Sequence, residues 1–296
     1  MTTGDGDAGG RLFPEDLDGV DPVAAVMLAD ACRSIAAYPE LIVVGTLFAA
    51  AEEMANGWQV VCPCDPLPQG ARELLAEHLG DRAALAGATE ARELLAAARS
   101  LENEPRDELR VAGHRFRIVR IEQAVRTGPD GPEPPRPTDL DPHPADRRPL
   151  PARSYDMLPM GHDVPDTATA ELLCQLLDAT ARTGSEPSEA YLTPVLLTPA
   201  FTMAEKTGGR WRPVGRLHDT PQEARQALAT YFRHVVPAVE HPGEEEAADY
   251  AEAADLLIDQ SRRNGIAVAG RRFRVIRIER ITLMSPEGPE PPRTAD

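Results

Sequence analysis

Hydrophobic positions along this chain follow two periods in turn, and the alternation repeats. Val23, Val26, Met27 and Ile35 recur at helical spacing. Asp21–Pro22 places a capping carboxylate and an N1 proline before them, and Tyr38–Pro39 ends the run. Leu41 to Phe48 is a β-rich stretch, followed by the turn signal Asn56–Gly57 and by Trp58 to Val61. Gln69–Leu79 and Thr89–Leu101 are rich in leucine and alanine and predict two helices. A short run, Leu109–Val111, turns at Gly113 into a long strand. One face of that strand carries Phe116, Ile118, Arg120 and Glu122, and the other carries Arg117, Val119 and Ile121. Both faces are partly apolar, which predicts an interior strand.

The same order, α-β-β-α-α-β-β, recurs further on. Asp166 caps a helix carrying Leu172, Leu173, Leu176 and Leu177, with Gly184 beyond its end. Val195 to Met203, Gly208–Gly209 and Trp211 form a second hairpin, whose Pro194 and Pro199 predict an edge position. Thr220 with Glu223 reads as a capping box, and Glu244–Arg263 as a further helix. Ile266–Val268 and Gly270 lead into Phe273, Val275, Arg277 and Glu279 on one face of a second long strand.

The two long strands share more than a pattern. VAGHRFRIVRIEQAVRTGPDGPEPPR from Val111 aligns without a gap to VAGRRFRVIRIERITLMSPEGPEPPR from Val268. Upstream, at a different offset, Tyr38 matches Tyr191, Phe48 matches Phe201, Trp58 matches Trp211, and Ala71–Arg72 matches Ala224–Arg225. Internal duplication follows. The expected fold class is α+β: two tandem copies of one unit, each with a mainly antiparallel sheet backed by helices, in a pseudo-two-fold arrangement. The expected organisation is a disordered segment 1–16, a first repeat 17–135, a proline-rich linker 136–154 and a second repeat 155–296. The long strands are the expected shared element, because both faces of each carry apolar residues. These VAGxRFRxxRIE…PxGPEPPR segments resemble those of an uncharacterised actinobacterial, Streptomyces-type domain-of-unknown-function family. The resemblance covers most of the chain. It implies a cytoplasmic protein of such an organism and carries no activity.

Composition narrows the partners. The 296 residues have a formal net charge of −17. A surface this acidic repels nucleic acid and anionic lipid at long range, so neither is expected as a partner. Lys206 is the only lysine, which reads as coding bias. No targeting segment stands out, and Leu41 to Ala51 falls short of the roughly 20 residues that a membrane span needs. Cytoplasmic residence is the expectation, with the four cysteines as free thiols.

Candidate chemistry is sparse. Cys62-Pro-Cys64 has one spacer and no second pair, so no metal site and no cofactor are expected. The histidines form no metal or catalytic motif, and no residue is put forward as catalytic. The arginine stripe is the sharpest feature. Arg117, Arg120, Arg274 and Arg277 lie on the long strands beside Glu122 and Glu279, and Arg72 and Arg225 occupy matched positions in the helices that follow the first hairpins. Arginine's planar fork suits carboxylates and phosphates, and it equally pairs with a chain's own acids. The leading expectation is a non-catalytic binding or assembly protein, recognising an acidic protein or small anionic ligand, as a pseudo-symmetric monomer or a homodimer. The alternative is an enzyme or small-anion sensor with its site between the repeats. The GPEPPR tails are expected to pack along their own units.

Overall fold

A computed structural model describes residues 22–142, 156–159, 167–182, 184, 187–259, 261–294 and 296. The segment 1–16, the capping residues Asp21 and Asp166, and residues 143–154 of the expected linker lie outside the described residues. The first half comprises α1 (Pro22–Ala37), β1 (Glu40–Met54), β2 (Gly57–Val60), α2 (Pro68–Leu85), α3 (Ala88–Asn103), β3 (Glu108–Val111), β4 (His114–Gly128) and β5 (Gly131–Pro132). The second comprises β6 (Met157–Pro159), α4 (Thr167–Ala181), β7 (Thr193–Thr207), β8 (Arg210–His218), α5 (Pro221–Thr230), a π-helical turn (Tyr231–Val235), α6 (Val236–Val239), α7 (Glu244–Ile258), β9 (Gly265–Val268), β10 (Arg271–Ser285) and β11 (Gly288–Pro289).

The fold is α+β. Its strands join in one antiparallel sheet with the order β6-β2-β1-β4-β10-β7-β8, while β3 and β5 pair with β4, and β9 and β11 with β10. The long ladders of the halves share a register. Phe48, Ala50 and Glu52 face Arg120, Ile118 and Phe116. Phe201, Met203 and Glu205 face Arg277, Val275 and Phe273. These matched contacts are consistent with a repeated unit. The edge position expected for Val195–Met203 is corrected: β7 lies between β10 and β8. Pro199 is tolerated there because it falls where the ladder slips between Ile278 and Arg280, a place that asks no ladder bond of it.

Local chemistry sets the element ends. Gly208 (φ 58°) and Gly209 (φ 81°) take the left-handed backbone that the β7–β8 turn requires. The Thr220 hydroxyl accepts from the Glu223 amide at 3.2 Å and caps α5.

Packing places the helices on one face. Leu75, Leu79, Leu94 and Leu101 of α2 and α3 bury Phe116 and Ile118. Leu228, Tyr250 and Leu257 of α5 and α7 bury Phe273. Leu176 of α4 covers Ala124 and Ile281 at the centre. The opposite face carries Trp58 with Val119 and Ile121, and Trp211 with Ile276 and Ile278.

The halves meet through β4 and β10, which pair at Ala124–Glu279, Gln123–Arg280 and Glu122–Ile281. Beyond these pairs one tail residue bridges the strands on each side. The Glu290 amide donates to the Leu283 carbonyl of β10, and its carbonyl accepts from the Arg120 amide of β4. The Glu133 amide donates to Arg126 of β4, and its carbonyl accepts from the Arg277 amide of β10. The tails therefore do not pack along their own units alone, as expected from the sequence; each crosses to the other half. The gap between two diverging strands leaves amides and carbonyls that need partners, and an extended tail supplies them.

Candidate functional site

The crossed tails supply one acid to each central arginine of the stripe, Asp296 to Arg120 and Asp139 to Arg277. Arg120 is 3 % exposed and pairs with Glu122, and its Nε donates to Asp296 at 2.9 Å. Arg293 lies 3.5 Å from Glu122. Arg277 repeats the arrangement: it pairs with Glu279, its Nε donates to Asp139 at 3.1 Å, and Arg136 donates to Glu279 at 2.7 Å. Arg136 through Asp139, expected as the start of a linker, are thus held against β10. Burial raises Glu122 above the usual carboxylate range, and Arg120 does not fully offset it. Burial acts on Glu279 too, but Arg277, Arg136 and Arg126 outweigh it and leave that carboxyl lowered. Arg72 bonds Asp107 at 2.7 Å, and Arg225, wholly buried, bonds Asn264 at 3.0 Å and also pairs with Asp141. The four strand residues form two clusters beneath the tails, and Arg72 and Arg225 sit apart, each anchoring the loop before a short strand.

Each tail also stacks on a tryptophan of the other half. A β-carbon at Gly288 would run into Trp58, and one at Gly131 into Trp211; both glycines have left-handed backbone, at φ 120° and 105°. Arg117 lies 5.3 Å from the Trp58 ring and donates to the Pro289 carbonyl at 3.1 Å. Arg274 lies 5.0 Å from the Trp211 ring and donates to the Pro132 carbonyl at 3.0 Å. Cation–π contact and hydrogen bond together lock the tail to the sheet.

The two tryptophan sites differ in one respect that bears on function. Beside Trp58, Glu108 of β3 accepts from Arg115 at 2.8 Å and from Arg117 at 2.8 Å. Glu53 approaches Arg115 at 3.3 Å. Hydrogen bonds from Arg115, with Arg117 behind it, hold the Glu108 carboxyl down at about 2 despite its partial burial. β3 meets β4 with Glu108 opposite Arg117, and β9 meets β10 with Gly265 opposite Arg274. Gly265 therefore stands where the carboxylate was. Lys206, opposite Trp211 in the ladder, stands where Glu53 faces Trp58. Among the described residues no carboxylate pairs with Arg272, Arg274 or Lys206.

A cavity of about 710 Å³ opens there, between the halves. Lys206, Trp211, Arg272 and Arg274 line one side, and Tyr38, Pro129 and Asp130 the other. Of the residues singled out from sequence, Arg274 lies in it, and Arg120, Glu122, Arg277, Glu279, Arg72 and Arg225 do not. Sequence reasoning missed Lys206 and the exchange of Glu108 for Gly265. The exchange stands in the aligned halves, yet only strand pairing shows that it removes a partner from two arginines.

The remaining candidates are accounted for by their surroundings. Cys62 is buried, accepts from the Ala50 amide at 3.1 Å, and has its thiol pushed up to about 11 by burial, which makes it a poor nucleophile. Glu52 pairs with Arg82 and His114, and Glu205 with Arg271. Among the described residues no group of three His, Cys, Asp or Glu is placed to hold a metal, and no helix is long and apolar enough to cross a membrane. No curated protein and no solved structure matches the chain. Residues 21–296, nearly all of the chain, match the model of the DUF5954 family, and the chain belongs to that family of unknown function.

Proposed function

We propose that the chain is a tandem of two α+β units related by a pseudo-two-fold axis between Gln123 and Arg280, and that it is a non-catalytic binding protein. The paired register of both halves and the reciprocal crossing of the tails support the first part. Its ligand is a small molecule bearing a carboxylate or phosphate, taken up in the cleft between the units. One observation carries this reading: the cations of the arginine-rich strand β10 that line the cleft face the position that Glu108 fills in the other unit, and Gly265 leaves that position open. Arg272, Arg274 and Lys206 line one cavity with charge-assisted donors, and Trp211 offers an apolar wall. A volume near 710 Å³ suits a small molecule.

Thermal melting in inorganic phosphate and in citrate tests the reading, with chloride at matched ionic strength as control. A ligand that binds the folded chain raises Tm with concentration. The expected result is a rise for wild type that disappears in an Arg272→Ala, Lys206→Ala double variant. A rise of equal size in that variant, or none in wild type, overturns the reading.

A further inference from the structure

β6 shows what the groove beside a tryptophan holds. Its three residues pair with β2, Leu158 opposite Trp58 and Pro159 opposite Gly57. Leu158 is 1 % exposed and packs among Trp58, Val119, Val195 and Leu197. With it in place Trp58 is 1 % and Leu197 5 % exposed.

The other unit has the groove without a plug among the described residues. A cavity of about 450 Å³ is lined by Ile42, Val44, Ala204, Trp211, Pro213 and Ile276. Under the two-fold relation these are the counterparts of Val195, Leu197, Ala51, Trp58, Val60 and Val119. Ile42 and Val44 are each 43 % exposed, and Trp211 is half-buried. β8 ends the sheet, so its outer edge has no strand partner among the described residues. An apolar groove beside an open strand edge is a site for a further extended segment.

We propose that Leu12–Phe13–Pro14 of this same chain docks there, pairing with β8 as β6 pairs with β2. Three matches point to this occupant. Leu12-Phe13-Pro14 repeats the apolar–apolar–proline order of Met157-Leu158-Pro159. Phe13 precedes Pro22, where α1 begins, by the same nine positions by which Leu158 precedes Thr167, where α4 begins. The spacing lets each segment reach its groove from its own helix. The charge before the segment also changes together with its surroundings. Asp156, before β6, is held by Thr198 at 2.6 Å and Arg280 at 3.3 Å. Its counterpart is Arg11, and the counterparts of Thr198 and Arg280 are Gly45 and Gln123, so the cation meets neither an arginine nor an empty acceptor site. Pro213 removes the donor that Val60 offers to Asp156, and the ladder is one bond shorter.

The inference rests on the two-fold relation proposed above and uses nothing from anion binding. The test uses the full chain with Trp58→Phe, which leaves Trp211 as the single indole. The expected result is a shielded, blue-shifted Trp211 that red-shifts and becomes open to acrylamide in Phe13→Asp, at all protein concentrations. An unchanged spectrum on Phe13→Asp overturns the proposal. So does shielding that appears only as the mass doubles, which places the segment of a second copy in the groove. If Trp58→Phe fails to fold, amide hydrogen exchange on the unmutated chain and on Phe13→Asp reads the same point. Protection of the Trp211 amide lost on Phe13→Asp supports docking, and protection equal in both overturns it. Arg272→Ala abolishes the phosphate response and leaves Trp211 shielded, so failure of either reading is distinguishable from failure of the other.

Discussion

The two halves hold their tryptophans by the same device and finish the surroundings differently. Trp58 has a tail glycine beneath it, Arg115 and Arg117 over its ring, and Glu108 closing both guanidinium groups. Trp211 has the tail glycine and Arg274, but Gly265 and Lys206 replace the carboxylates, and a cavity opens. The shared parts are those that bridge β4 to β10, and they stabilise the sheet. The part that differs is at the cleft's mouth, where losing a carboxylate does not unpair a backbone group. The difference teaches where to look for function in two halves with matched contacts: at the position where one half has an internal partner and the other has room for an external one.

The largest expected effect tests what the halves share. Arg120→Ala leaves Glu122 buried without its main cation, and Arg277→Ala does the same to Glu279. Breaking a buried pair in this way costs about 3–5 kcal/mol. Chemical denaturation of both variants is expected to show losses of similar size, and a large loss in one with none in the other would break the symmetry of the crossed tails. Next comes Leu158→Ala, which empties the plugged groove beside Trp58 and is expected to cost about 2–5 kcal/mol in the same measurement. A neutral result would mean that Leu158 does not hold β6 to β2.

A smaller effect isolates the carboxylate that the second half lacks. Glu108 is held at about 2, below its usual 4.5, so it binds its proton more weakly folded than unfolded. Its stabilisation is complete above the unfolded value and is lost as pH falls toward about 2. Because the side chain is partly exposed, the gain is about 1 kcal/mol or less. Glu108→Gln is expected to lower Tm at pH 7, with the gap closing between pH 4.5 and 2. A gap that stays constant across that window would show that the hydrogen bonds to Arg115 and Arg117 do not depend on the charge.

Much of the architecture was legible before any coordinates. Period, turn residues and the repeat of VAGxRFRxxRIE gave the element order and both long strands, because local patterning fixes what each segment becomes. The crossing of the tails was not legible. Glu133 and Glu290 are followed by the same residues, and nothing in a polyproline-like segment says which of two like strands it will bridge. Pro199 misled for a related reason, since a slip in the ladder is a property of the pair and not of one strand, while Pro194 lies outside the stretch of β7 that β8 pairs. Lys206 looked like coding bias until β7 set it beside Trp211, and only the pairing of β9 with β10 sets Gly265 against Arg274.

The most direct test moves the carboxylate from one half to the other. The backbone of Gly265 accepts a side chain, for its β-carbon would meet only the Phe273 carbonyl, at 3.8 Å. Calorimetric titration with inorganic phosphate is expected to show one site in wild type and none in Gly265→Glu. The reverse exchange, Glu108→Gly with Glu53→Lys, is expected to add a second site beside Trp58. Phosphate binding that persists unchanged in Gly265→Glu would contradict the account.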